Sequence, residues 1–242
     1  MAGVTVRGIP TRTAIVRWGL PAIAVGVIAG ATIPTAVAGL AAVWETNRTS
    51  LPWLFERLFA WLAYLAMTGS VVYGLLLSTK LLDTVAHRPV SFALHMDLAA
   101  FGIALASVHG ALLLLDTSVG FTAAQILVPG LSTYLPVPLA FGQVALYLAM
   151  IVLASFYARR HMSQRVWRTL HYVTFLAFVG ATLHGITAGT DSGSPWAQWI
   201  YLASAAGVAF LLTYRIGLSV ATRMGFVPES RASGALAELR RS

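Results

Sequence analysis

HMDLAAFGIALASVH, residues 95–109, is the stretch on which the fold turns. Two histidines bracket twelve apolar or small residues and one carboxylate, Asp97. A run this apolar reads as a helix in lipid. Fourteen residues of α-helix rise about 21 Å and fall about 40° short of four turns. His95 and His109 therefore share a face and reach across most of a hydrocarbon core about 30 Å thick. Gly102 lies midway on nearly that face, where a glycine would let a flat ligand approach the backbone.

The rest of the chain agrees. Of its 242 residues, 58% are hydrophobic and 10% charged, and the mean hydropathy is +0.77, whereas a soluble domain carries about a quarter charged residues. Six apolar stretches, 19–43, 57–79, 91–115, 137–157, 168–188 and 196–214, come near the roughly 20 residues a bilayer requires. Breakers fill the connectors: TNRTSLP, HRP, PGLSTYLPVP and TDSGSP. The apolar run at 19–43 is longer than the about 7–15 residues of a signal-peptide core, so it reads as a retained first span. The expectation is an all-α, polytopic membrane protein: a short cytoplasmic segment 1–18, a six-helix transmembrane bundle 19–215 and a cytoplasmic tail 216–242.

Of the 16 Lys and Arg residues, all but Arg48 and Arg57 fall on one side of this topology. An excess of basic residues marks the cytoplasmic side, which places both termini there. The net charge of +8 is thus spent on membrane orientation, and no nucleic-acid partner is expected. The chain has no cysteine, which excludes disulfides, thiolate metal sites and covalently attached c-type haem.

Four of the six histidines fall in spans: His95 and His109 in the third, His171 and His184 in the fifth. His87 and His161 lie in loops and read as solvated. Both histidine-bearing spans run from inside to outside. Their imidazoles therefore pair by level, His95 with His171 near the cytoplasmic face and His109 with His184 near the outer face. One histidine in a membrane helix often does no more than hydrogen-bond a neighbour. Four of them, matched in depth on two parallel helices, point further, because ionisable groups inside a membrane are costly and mark function. Two facing neutral imidazoles form an axial ligand set for haem iron, and two such pairs stacked along the membrane normal make a two-haem wire.

Over roughly residues 55–215 the chain resembles the ferric reductase-like transmembrane domain, shared by NADPH oxidases, ferric reductases and the haem-binding membrane subunit of the bacterial methionine sulfoxide reductase system. HMDLAAFGIALASVH, LHYVTFLAFVGATLH and the WRTLHY that leads into the latter carry the resemblance. It implies two haem b per chain, the inner held by His95 and His171 and the outer by His109 and His184. It further implies an oxidoreductase component of the bacterial cytoplasmic membrane, and an arginine on the second helix, here Arg57, near the outer haem as a propionate or acceptor contact. Oxidases and ferric reductases continue into a flavin and nicotinamide domain. Here fewer than thirty residues follow the sixth span, without a nucleotide-binding glycine motif. Electrons are therefore expected from a separate flavoprotein or from a membrane quinol, and are passed to a separate outer-side acceptor.

Arg88, Arg159, Arg160 and Arg168 crowd the inner end near His171, and an arginine fork suits a haem propionate; Arg88 and Arg168 are the candidates carried forward. Phe101 and Phe178 lie between the paired histidines of their spans. Trp53, Trp196, Trp199 and Tyr201 fit an aromatic belt at the outer interface. Asp97 is expected to pair with a loop arginine, and Glu56 to neutralise Arg57. No catalytic residue is expected, since a bis-histidine iron has no open position. Two other readings stay open: a haem-bearing anchor subunit of a larger redox complex, and a non-redox haem or metal transporter. Sparse carboxylates in the spans disfavour the transporter.

Overall fold

The computed structural model describes residues 34–35, 37–39, 41–43, 45–46, 50–81 and 87–224. The chain divides into two units, Met1–Leu51 and Pro52–Ser242. In the first unit the described residues from 34 to 46 are helical, with the Thr46 hydroxyl donating to the Ala42 carbonyl at 2.8 Å. Most of the expected first span, 19–43, lies outside the described residues, as do the terminal segments 1–18 and 225–242.

Five long helices follow: α1 Ser50–Thr79, α2 Arg88–Leu112, α3 Pro136–Ala158, α4 Gln164–Ala188 and α5 Pro195–Arg223. Among the described residues there is no strand. All five are long and apolar enough to cross a membrane, with mean hydropathies of 1.3 to 2.1, and the chain is a multi-pass integral membrane protein.

The start signals are local. Pro89, Pro136 and Pro195 sit in the first turns of α2, α3 and α5, where a missing N–H costs nothing. Ser163 caps α4, its hydroxyl accepting from Val166 N. Between α2 and α3 a one-turn helix, Ala123–Leu127, opens with a reciprocal Thr122–Gln125 capping box. Its open carbonyls are met by α3: Gln143 Nε2 donates to Gln125 and Ile126 at 2.7 Å each, and the Tyr147 hydroxyl donates to Leu127.

Two helices depart furthest from their expected bounds. α1 begins seven residues before 57, because Pro52 stands in its first turn and the TNRTSLP segment turns helical at Ser50. α5 runs nine residues beyond 214, to Arg223.

α1 is the central element: 39% of its most apolar window is buried, against 11–17% in the other four spans. Val71 and Leu75 of α1 pack with Phe178 of α4 and Val208 of α5. Tyr64 of α1 packs with Ala197 and Tyr201 of α5. α3 and α4 form a close hairpin, and Gly180 is the reason: a methyl group there would lie 3.2 Å from both Ala145 Cβ and Phe141 O. The backbones of α2 and α4 stay apart, in contrast, with hardly any approach within 8 Å.

Candidate functional site

Across that gap between α2 and α4 the imidazoles meet at two levels. The rings of His95 and His171 have centroids 6.0 Å apart and planes at 70°. Those of His109 and His184 have centroids 6.1 Å apart and planes at 68°. A metal–nitrogen bond of about 2.0–2.1 Å, added to a ring radius of about 1.1 Å on each side, puts two imidazoles on opposite faces of one ion with centroids about 6 Å apart. Both levels match that spacing.

The other ring nitrogen is tied back in three of the four. His95 Nδ1 lies 2.8 Å from Ser70 O, His109 Nδ1 3.1 Å from Glu56 O, and His184 Nδ1 2.9 Å from Pro138 O. A carbonyl only accepts, so Nδ1 carries the hydrogen and Nε2 keeps its lone pair. Metal-ligating histidines are oriented in this way. His171 is held differently, by the Trp167 indole stacked on it at 5.4 Å and 23°.

Small residues make room for two of the rings. In an α-helix the carbonyl of residue i points toward residue i+4, so an imidazole bonded to that carbonyl lies against i+4. At Ser70 that residue is Gly74, where a methyl group would stand 3.1 Å from His95 Cε1. At Pro138 it is Gly142, where a methyl group would fall 2.7 Å from His184 Cγ. At Glu56 the corresponding residue is Ala60.

α1 and α2 run in a matched register. Each step of seven up α1, from Glu56 to Ala63 to Ser70, meets a step of seven down α2, from His109 to Gly102 to His95. Gly102 serves this pairing. A methyl group on it would lie 3.0 Å from Met67 Cγ and 3.4 Å from Ala63 O, so the close approach it permits is that of α1.

Around the His109 level the charges are sorted. His109 Nδ1 lies 3.0 Å from Glu56 Oε1 as well as near its carbonyl. Arg57 turns to Asp191 in the α4–α5 loop, making a two-pronged ion pair, and Trp61 Nε1 donates to the same carboxylate at 3.1 Å. The guanidinium also lies 4.1 Å over the Trp53 ring. The carboxylate that holds Arg57 is thus Asp191 and not Glu56. At the other level Ser70 Oγ lies 3.1 Å from His95 Nδ1 and donates to His95 O at 3.0 Å.

The remaining expected residues scatter. Arg88 begins α2 and, with Leu77, Pro89 and Phe92, lines an open cavity of about 340 Å³. Arg168 is exposed on α4, one turn before His171. Arg159 stacks on Phe156 at 4.2 Å and Arg215 on Tyr172 at 5.6 Å. Phe101 is exposed, whereas Phe178 is buried in the core and stacks with Tyr64 at 6.4 Å. Asp97 is exposed and has no ion pair among the described residues, so the expected arginine partner is not seen. Trp53, Trp196 and Trp199 are exposed, as a belt requires, but Tyr201 is buried, because it follows Ala197 by one turn on the inward face of α5. His161 is exposed, its Nε2 accepting from Arg160 Nε at 2.9 Å.

Ser70, Gly74, Glu56, Pro138, Gly142 and Trp167 were not foreseen as site residues. Gly74 and Gly142 had a readable signal, each standing four residues after a position able to offer a carbonyl. Glycines are too common in apolar helices for that signal to stand out unaided.

Among the described residues no group of three or more metal-binding side chains forms. A bare ion would therefore gain two imidazoles at each level, whereas haem brings its remaining ligands in the macrocycle and needs two. The imidazole spacing, the tied-back Nδ1 atoms and the separation of α2 from α4 fit haem. Comparison of the chain with protein-family models, with curated proteins and with solved structures returned no match, so its reading rests on this geometry.

Proposed function

We propose that the chain is a transmembrane b-type cytochrome of the ferric reductase-like kind. In this reading His95 and His171 would hold one haem b, and His109 and His184 a second. The observation that carries the reading is the repetition of one arrangement at two depths: facing imidazoles 6.0 and 6.1 Å apart. Haem held in this way exchanges one electron and offers no open axial position to substrate.

The chain's own residues supply the rest. Ser70, Glu56 and Pro138 fix three imidazoles in the tautomer that presents Nε2. The two levels are about 21 Å apart along α2. Arg88, Arg168 and Arg215 give one end of the bundle a positive field suited to propionates and to an acidic or anionic donor surface. With that end cytoplasmic by the positive-inside rule, electrons enter there from a flavoprotein or a quinol and leave at the Glu56 end to an outer acceptor. An outward electron gains about 2.3 kcal/mol per 100 mV of membrane potential.

Pyridine haemochrome analysis of the purified full chain is the test. Two non-covalent haem b per chain are expected; one would overturn the two-haem model, and none the reading as a whole. Replacing His95 or His171 should remove one haem, and replacing His109 or His184 the other. Loss of the same haem from His95→Ala and His184→Ala would overturn the pairing.

A further inference from the structure

The two imidazole pairs have the same geometry but different surroundings. His95 and His184 donate to neutral backbone carbonyls, and His171 stacks on an indole. His109 alone among the four meets a carboxylate, Glu56 Oε1 at 3.0 Å, in addition to the Glu56 carbonyl at 3.1 Å. Both side chains are largely shielded, with exposures of 18% and 20%. The adjacent cation does not compete, because Asp191 holds Arg57.

We infer that Glu56 is a positioning residue that lowers the reduction potential of the His109–His184 site relative to a site with neutral support. The inference rests on the haem reading proposed above. A carboxylate that takes a histidine Nδ1–H draws the proton toward itself and makes the imidazole a stronger donor through Nε2. A stronger donor, with a negative charge behind it, stabilises the more positive oxidised iron over the reduced one. In the apolar interior that charge is weakly screened. The site at this level is therefore a stronger reductant than it would be with neutral support, at the end of the bundle where the acceptor would be met.

The test is a spectroscopic redox titration of the purified full chain, comparing wild type with Glu56→Gln. Glutamine keeps an acceptor oxygen and removes the charge. Both haems should remain, and one of the two transitions should move to higher potential by at least tenfold in its redox equilibrium, about 59 mV for one electron. The transition that moves should be the one that His109→Ala abolishes, and the other should stay in place. Two retained haems with neither midpoint moved would overturn the inference and leave the proposed function standing. A wild-type chain that binds no haem would overturn both. Should Glu56→Gln lose one haem, Glu56→Asp decides: retention with an unshifted midpoint supports the role of the charge. Equal loss from both variants would show a packing role and overturn the inference.

Discussion

The His95–His171 and His109–His184 levels are near copies in their imidazoles and opposites in their support. Ring separations agree within 0.1 Å and ring planes within 2°. One level is backed by a serine and a tryptophan, with Arg215 stacked on the adjacent Tyr172. The other is backed by Glu56, beside an Arg57–Asp191 pair. The lesson is that the identity of the paired side chains and the support behind them are separable here. α2 and α4 supply the imidazoles at both levels, while α1 and α3 decide what three of them lean on and Trp167 of α4 backs the fourth, His171.

The largest expected effect breaks the comparison outright. On the proposed reading, His184→Ala should leave a chain with half the haem of wild type, and His95→Ala the complementary half, each measured by haemochrome content. Gly142→Leu comes next. A branched side chain in the space of the His184 ring is a severe overpacking, which costs about 1–3 kcal/mol or more in a packed core. It should displace that imidazole and deplete the same haem that His184→Ala removes. Gly74→Ala, opposite His95, meets a ring edge at 3.1 Å rather than 2.7 Å and should retain both haems with a measurably lower thermal midpoint.

Removing the ion pair tests how much of the contrast is electrostatic. Arg57→Ala leaves Asp191 with Trp61 as its side-chain donor, and Asp191 is only 14% exposed. Breaking a fully buried pair costs about 3–5 kcal/mol; at this partly exposed site the expected loss is about 1–2 kcal/mol, read as a lower unfolding midpoint in detergent. Ser70→Ala should be the mildest. It deletes one hydroxyl, a contribution of about 0.5–1.5 kcal/mol, but leaves the Ser70 carbonyl that holds His95, so the redox equilibrium at that level should move by less than tenfold. One measurement should not distinguish the levels at all. On the proposed reading, imidazole planes this close to perpendicular would give ferric low-spin iron a strongly anisotropic electron paramagnetic resonance signal, and both sites should show it. A rhombic signal from either would contradict the ring angles.

Much of this was legible in the sequence. The fourteen-residue spacing in α2 and the thirteen-residue spacing in α4 marked the four imidazoles, and basic-residue placement matched them by level. The thirteen residues from His171 to His184 fall about 140° short of four turns, and α4 spans them as regular helix from Gln164 to Ala188. What escaped lies in the partners. Glu56 was read as the neutraliser of Arg57 because the two are adjacent, but consecutive helical side chains diverge by about 100°. They serve different neighbours as a result. Tyr201 was placed at the interface by its depth, and depth says nothing about which face of a helix a residue occupies. The carbonyls of Ser70 and Pro138 have no sequence signature, since every residue has one.

The shared register of α1 and α2 has a consequence for how such a chain can change. The interval between the two levels is written twice, as His95 to His109 on one helix and Glu56 to Ser70 on the other. Inserting one residue into α1 between those carbonyls would turn one against the other by about 100° and slide it about 1.5 Å. One imidazole would keep its rest and the other would lose it. The hairpin behaves as a pair of engraved scales, readable only while both carry the same graduation. A change in the distance between the two sites would require matched insertions in α1 and α2 and between His171 and His184 of α4, which makes that distance hard to adjust.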